Sequence, residues 1–178
     1  MAAGHKTDSP ESITYSSVVA RDSVLIVLMI AALYGLDMSC CDIKNTYLMA
    51  DCHGKSLIKA DSEFRPERQE TWLLVRKALY GLKSSGAAFR SFFAEHIYNL
   101  GFKPSRADPD CWMRPATKPN GFECYVYMLV YVDDILVAPH DPKPVMEGIK
   151  LRFELKGDKY AWRADGFFGC STEENNYL

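Results

Sequence analysis

Residues 122–138 read FECYVYMLVYVDDILVA, and this stretch decides the fold. Two apolar, β-prone runs flank a short polar centre, Asp133-Asp134. Aromatic and β-branched residues suit a pleated surface, and two such runs around a tight polar break predict a β-hairpin. Adjacent aspartates at a turn repel each other. Successive strand residues point to opposite faces, so at most one of the two fits comfortably as a turn residue. A divalent cation would offset the repulsion, and Mg²⁺ favours carboxylates together with substrate phosphates. Taken alone, the dipeptide also reads as a plain Asp-rich turn.

The flanking sequence supplies the rest of the architecture. Residues 111–114 predict a strand, 115–121 (PATKPNG) a turn, and 142–155 a helix with Val145, Ile149 and Phe153 on one stripe. Ser84 and Ser85 are N-cap candidates for a helix that runs to about Leu100 and ends at Gly101. Its residues Ala88, Phe89, Phe92, Phe93, Ile97 and Leu100 recur at spacings of three and four, giving one buried face. Nearer the start, a helix beginning within residues 18–22 runs through Val24 to Leu36, VLIVLMIAALYGL, with Gly35 placed to end it. Residues 38–43 (MSCCDI) read as a short strand with Asp42 near its end, and 44–50 as a turn of helix. Strands are expected at 55–60 and 71–77, around a charged loop at 61–70. The expected organisation is a polar N-terminal arm at 1–17, one domain at 18–156 and an irregular tail at 157–178. Helices mixed with short, hairpin-paired strands predict an α+β fold, with helices packed on one face of an antiparallel sheet.

Composition excludes some classes. With 178 residues, 48% hydrophobic and 25% charged, the chain can build a core and is not a disordered polymer. Its net charge is −2 and its pI about 6.1. Nucleic-acid-binding domains often lie above about 9, so overall charge gives no support to such a partner, and local patches decide. None of the six cysteines shows C-x-x-C spacing and the four histidines are scattered, which argues against structural zinc. Free thiols fit a reducing, intracellular setting, cytoplasmic or nuclear. Residues 1–10 are polar and show no secretory signal. The thirteen uncharged residues from Val24 to Leu36 fall short of the roughly 20 that span a bilayer, so they read as a core helix. Membrane contact through them is the less favoured reading.

Asp42 adds a second carboxylate at the edge of a core. Two strand-borne carboxylate sites can hold two metals about 3.5–4 Å apart, the arrangement used for in-line phosphoryl displacement. On its own, Asp42 reads first as an N-cap for residues 44–50.

Four motifs then occur in a particular order. Residues 41–48 (CDIKNTYL) resemble the first catalytic motif of copia-type reverse transcriptases, and 76–85 (RKALYGLKSS) their central motif. Leu100-Gly101-Phe102 with Asp108-Pro109-Asp110 is similar to the segment that follows, and 129–137 (LVYVDDILV) to the catalytic hairpin. The resemblance spans about residues 3–156. It implies a right-hand polymerase palm and RNA-directed DNA polymerase activity with two Mg²⁺ (or Mn²⁺) ions. Asp42, Asp133 and Asp134 match the catalytic, metal-binding carboxylates. Tyr47 matches the aromatic residue that crowds the sugar 2′ position. Ser84 and Ser85 lie in the nucleotide-binding stretch. Tyr131 matches the residue that abuts the primer end, and Lys77, Lys83 and Arg90 are candidates for template and primer phosphates. The implied partners are an RNA or DNA template-primer and deoxynucleotides.

The chain departs from the family at Ser84-Ser85-Gly86-Ala87, where many members carry Gln and Pro-Arg. Little precedes Gly4-His5-Lys6, where basic finger strands are expected, and residues 160–178 resemble no thumb. The expectation is therefore a fragment, weak or inactive alone. The competing reading is a non-catalytic, palm-derived subunit of a larger assembly, with protein partners and an organellar or membrane-associated setting if repurposed.

Overall fold

A computed structural model describes residues 14–52, 56–60, 67 and 70–156. Within them the chain runs α1 (Arg21–Tyr34), β1 (Ser39–Asp42), α2 (Thr46–Met49), β2 (Leu57–Lys59), β3 (Trp72–Leu74), α3 (Ser85–Asn99), β4 (Lys103–Pro104), β5 (Cys111–Thr117), β6 (Glu123–Tyr131), β7 (Asp134–Ala138) and α4 (Lys143–Lys150). Contacts group the chain into two units. One holds Asn45–Phe93 with the stretch ending at Ser16, the other Ser17–Lys44 with the chain from Ala94 onward.

In the second unit a five-stranded sheet has the order β1-β7-β6-β5-β4, antiparallel throughout. Its register follows the hairpin predicted at 122–138. Leu129 pairs with Leu136, Leu136 with Cys40, and Leu129 with Cys111, so these four share one face. Val24, Val27 and Ala31 of α1, with Leu36, are buried in one cluster with Cys111, Leu129, Leu136 and Ala138. The apolar run 24–36 is thus a core helix seated on the sheet that carries Asp42, as its length predicts. Among the described residues, no helix is long and apolar enough to cross a membrane.

The opposite face is buried as well. Ser39, Val137, Met128 and Trp112 form one row across four strands, none more than 4% exposed. Trp112 meets the ring of Tyr98 on α3 edge-on, at 5.1 Å between centroids. The α+β expectation is therefore met, but the placing of helices on one face only is corrected. The uninterrupted apolar runs of β6 and β7, which do not alternate with polar residues, belong to strands covered on both sides. Each fully buried Leu or Ile there contributes about 1.5–3 kcal/mol.

Helix α1 is tied down at both ends. The Asp108 carboxylate accepts hydrogen bonds from the Ala20 amide at 2.8 Å, the Ser23 hydroxyl at 2.6 Å and the Asp110 amide at 3.0 Å. It caps the helix from 88 residues away and sits at the positive end of its dipole. At the other end Gly35 adopts φ +56°, and the Leu36 amide reaches back to the Ala31 carbonyl.

Three boundaries differ from the sequence reading. β5 continues through Pro115 to Thr117, where a turn was expected. β4 pairs only with Trp112 and Met113, so at Pro115 the outer edge of β5 is open and the missing N–H forfeits no ladder bond. α4 ends at Lys150, and Leu155 pairs instead with Ile43 in a β-bridge. β4 itself was not foreseen, being only two residues long. The expected arm at 1–17 and tail at 157–178 fall almost wholly outside the described residues.

The first unit holds the β2–β3 hairpin and a tight turn at residues 79–82, closed by the Leu82 amide on the Leu79 carbonyl. Gly81 has φ +98°, the conformation that a turn of this type demands at its third position.

Candidate active site

The β6–β7 hairpin closes through two residues, Val132 and Asp133, since Tyr131 pairs directly with Asp134. Val132 has φ +59°. A β-branched residue rarely adopts this left-handed conformation, which costs on the order of 1–2 kcal/mol. Its partner Asp133 does not share it, which is the II′ pattern with valine where glycine is the rule. The tip is held in place by the residue that follows β1, as the Ile43 amide donates to the Asp133 carbonyl at 3.0 Å.

The same pairing aligns the carboxylates. Asp42, the last residue of β1, is the register partner of Asp134, the first of β7. Directly opposed residues project from one face, with Cβ atoms about 4.5–5.5 Å apart. Asp133 precedes Asp134 in the turn, so three carboxylates gather at one end of the sheet. Their charges are felt. The Asp134 carboxyl, although its tip is exposed, is pushed above the usual carboxylate range, first by partial desolvation, then by Asp133 and Asp42, with Lys156 acting the other way. The adjacent Cys41 thiol is pushed up to about 12, chiefly by burial and then by Cys40, Asp42 and Asp134.

Lys156 is a member of this cluster that the sequence did not disclose. Its Nζ donates to Asp42 Oδ2 at 2.9 Å and lies 2.7 Å from Oδ1. Oδ1 is buried and accepts no hydrogen bond of acceptable angle, so that contact is purely ionic. The backbone fixes the lysine: its amide donates to the Asp42 carbonyl at 2.9 Å, and the Lys44 amide donates to the Glu154 carbonyl at 2.8 Å. These two bonds bracket the Ile43–Leu155 bridge. Lys44 Nζ closes the strip on Glu154 Oε1 at 2.6 Å. A contact between residues 114 positions apart has no local signal in sequence.

These residues fit a divalent cation in chemistry. The donors are hard carboxylate oxygens on adjacent strands, one of them buried without a hydrogen bond, and an ammonium already stands in for a cation at Asp42. They do not form a finished cage. Among the described residues no group of three His, Cys, Asp or Glu side chains is gathered closely enough to hold a metal.

The remaining candidates divide between the units. Tyr131 belongs with the carboxylates, opposite Asp134 and 39% exposed. Tyr47, Lys77, Ser84, Ser85, Lys83 and Arg90 belong to the other unit. Tyr47, half-buried on α2, lies against Tyr80 at 4.6 Å and edge-on to Phe89 at 6.4 Å. Ser84 and Ser85 are buried, and the Ser85 hydroxyl donates to the Leu79 carbonyl at 2.7 Å. Lys77 is paired with Asp51 at 2.8 Å, Lys83 is exposed and Arg90 half-buried.

The chain is thus α+β, with three carboxylates at the end of paired strands and the four motifs in order. The chain belongs to the reverse transcriptase (RNA-dependent DNA polymerase) family, whose model matches residues 3–172. It is of the copia type. It is 29% identical over 147 residues to the retrovirus-related Pol polyprotein from transposon RE1 of Arabidopsis thaliana, covering 80% of this chain and 10% of that polyprotein. The corresponding polyprotein from transposon RE2 of the same plant is 27% identical over 147 residues, with the same coverage. The chain thus spans about a tenth of the length of the curated relatives it matches.

Proposed function

We propose that this chain carries the palm and the carboxylate centre of a copia-type reverse transcriptase, copying RNA into DNA inside the cell with two Mg²⁺ or Mn²⁺ ions. The observation that carries this reading is the direct register of Asp42 with Asp134, beside Asp133 in a two-residue turn. In the proposed mechanism Asp42, Asp133 and Asp134 would hold the ions, which when bound would supply a lowered pKa for the attacking hydroxyl and charge stabilisation for the leaving pyrophosphate. Tyr131, exposed opposite Asp134, is the wall against which the primer end rests. The ring of Tyr47, braced by Tyr80 and Phe89, is the steric gate against a ribose 2′-hydroxyl. Ser84 and Ser85 serve the nucleotide site through their turn and helix start rather than their buried hydroxyls. Lys77, Lys83 and Arg90 are the basic groups offered to template and primer phosphates.

A second reading has one observation in its favour. Leu25, Ile26, Met29 and Leu33 leave the outer side of α1 apolar and exposed, which suits a subunit held by protein partners in a larger assembly. Primer extension separates the two readings. With an RNA template and Mg²⁺ or Mn²⁺, the catalytic reading expects weak extension by the chain that disappears in Asp133→Asn. Equal extension by that variant would contradict it, and no extension together with no Asp42-dependent Mn²⁺ binding would assign the chain to the non-catalytic reading.

A further inference from the structure

Lys156 lies outside the four motifs quoted above, and its ammonium is paired with Asp42. Both oxygens of Asp42 lie within 3 Å of its Nζ, at 2.7 and 2.9 Å, and one of them has no hydrogen-bond donor. The lysine does not reach Asp42 by chance rotation. The backbone of residues 154–156 is hydrogen-bonded along residues 42–44, with its own amide on the Asp42 carbonyl. A strip that adds to the β1 edge therefore delivers an ammonium to the side chain of the residue it pairs with.

We propose that Lys156 is the resident counter-ion of the carboxylate centre, and that a divalent cation enters at Asp42 by exchange with it. This inference rests on the metal-binding reading above. Three carboxylates at one end of a sheet repel one another, and a tethered +1 charge lets the β1–β7–β6 edge close without a metal. The ammonium has donors only and a single charge. It offsets one charge at Asp42, whereas a divalent cation would take the same carboxylate oxygens as ligands. Metal entry must therefore release the lysine. The side chain is 52% exposed and long, so release needs a change of rotamers, not of backbone. Once released, it offers an ammonium beside the centre, where an anionic substrate would lie.

The test is a Mn²⁺ titration of the whole chain, with free Mn²⁺ read by electron paramagnetic resonance, for wild type, Lys156→Met, Lys44→Met and Asp42→Asn. The two lysine variants change net charge equally, but Lys44 is paired with Glu154, not with Asp42. Lys156→Met should bind Mn²⁺ about fivefold tighter, the scale of one exposed ion pair. Lys44→Met should shift by less than about twofold, and Asp42→Asn should lose the site. If wild type binds Mn²⁺ through Asp42 and Lys156→Met binds no tighter, the exchange is wrong while the metal site stands. Equal gains in both lysine variants would reduce the effect to overall charge and overturn it. No Asp42-dependent binding in any form would overturn both the exchange and the metal reading beneath it.

Discussion

Asp134 shows how the proposed site and the fold pull in opposite directions. Its carboxyl is raised above the ordinary carboxylate value of 3.8, by partial desolvation first and by Asp133 and Asp42 next. A raised folded pKa means that the folded protein holds the proton more tightly than the unfolded chain. The group then favours folding at acid pH, and that contribution is lost as pH rises through the folded value. At neutral pH the ionised Asp134 should therefore work against the fold. Asp134→Asn is expected to raise the thermal midpoint at pH 7, with the gain shrinking as pH falls toward and below 3.8. Thermal unfolding of both proteins across that range checks it, and a gain that is flat with pH would mean that the ionisation of Asp134 is not the cause. Val132, in a conformation that valine avoids, is a second cost located at the same tip. Strain of this kind persists only where the surroundings over-determine it. Here they do: the Asp133 carbonyl is bound by Ile43, and Tyr131 and Asp134 are paired.

At the scale of elements, the hairpin depends on α1 and α1 on the segment before β5. The Asp108 carboxylate holds the first turn of α1 through Ala20 and Ser23, and Val19 and Asp110 are hydrogen-bonded through the backbone of Val130, next to the hairpin tip. Asp108→Ala should cost about 2 kcal/mol in chemical denaturation, at the upper end for a cap because a buried acceptor with three donors is removed. A loss below about 0.5 kcal/mol would show that the cap is not what seats the helix. The sequence had marked Asp108-Pro109-Asp110 as a motif without saying what it does, because capping across 88 residues is invisible to a local reading. What was legible was local. The β6–β7 hairpin, the end of α1 at Gly35 and the helix after Ser84-Ser85 each follow from neighbouring residues. β4, the extension of β5 past Pro115 and the strip at 154–156 depend on which strand lies alongside, and no periodicity reports that. The apolar stripe continuing to Phe153 misled for the same reason. Phe153 is buried, but beyond the end of α4 and against the ring of His96.

At the scale of the whole molecule, a net charge of −2 carries no functional signal, and family membership rests instead on motifs in order and on the match across residues 3–172. The carboxylates were legible because their motif residues are contiguous, Asp42 in one and Asp133-Asp134 in the other. Their cationic neighbour was not, since Lys156 arrives by tertiary pairing. The chain divides into a unit with the carboxylates and Tyr131 and a unit with Tyr47 and the basic candidates, so the central claim concerns the carboxylate-bearing unit alone. It is that Asp42, Asp133 and Asp134 together take up a divalent cation. The most direct measurement is the paramagnetic broadening of backbone amide signals as Mn²⁺ is added in small amounts to the isotope-labelled chain. The account predicts that the amides of Asp42, Ile43, Asp133 and Asp134 broaden first and together, and that Asp42→Asn abolishes the pattern. Broadening that begins elsewhere, at Asp51 or Glu95 for example, or that is unchanged in Asp42→Asn, would contradict it.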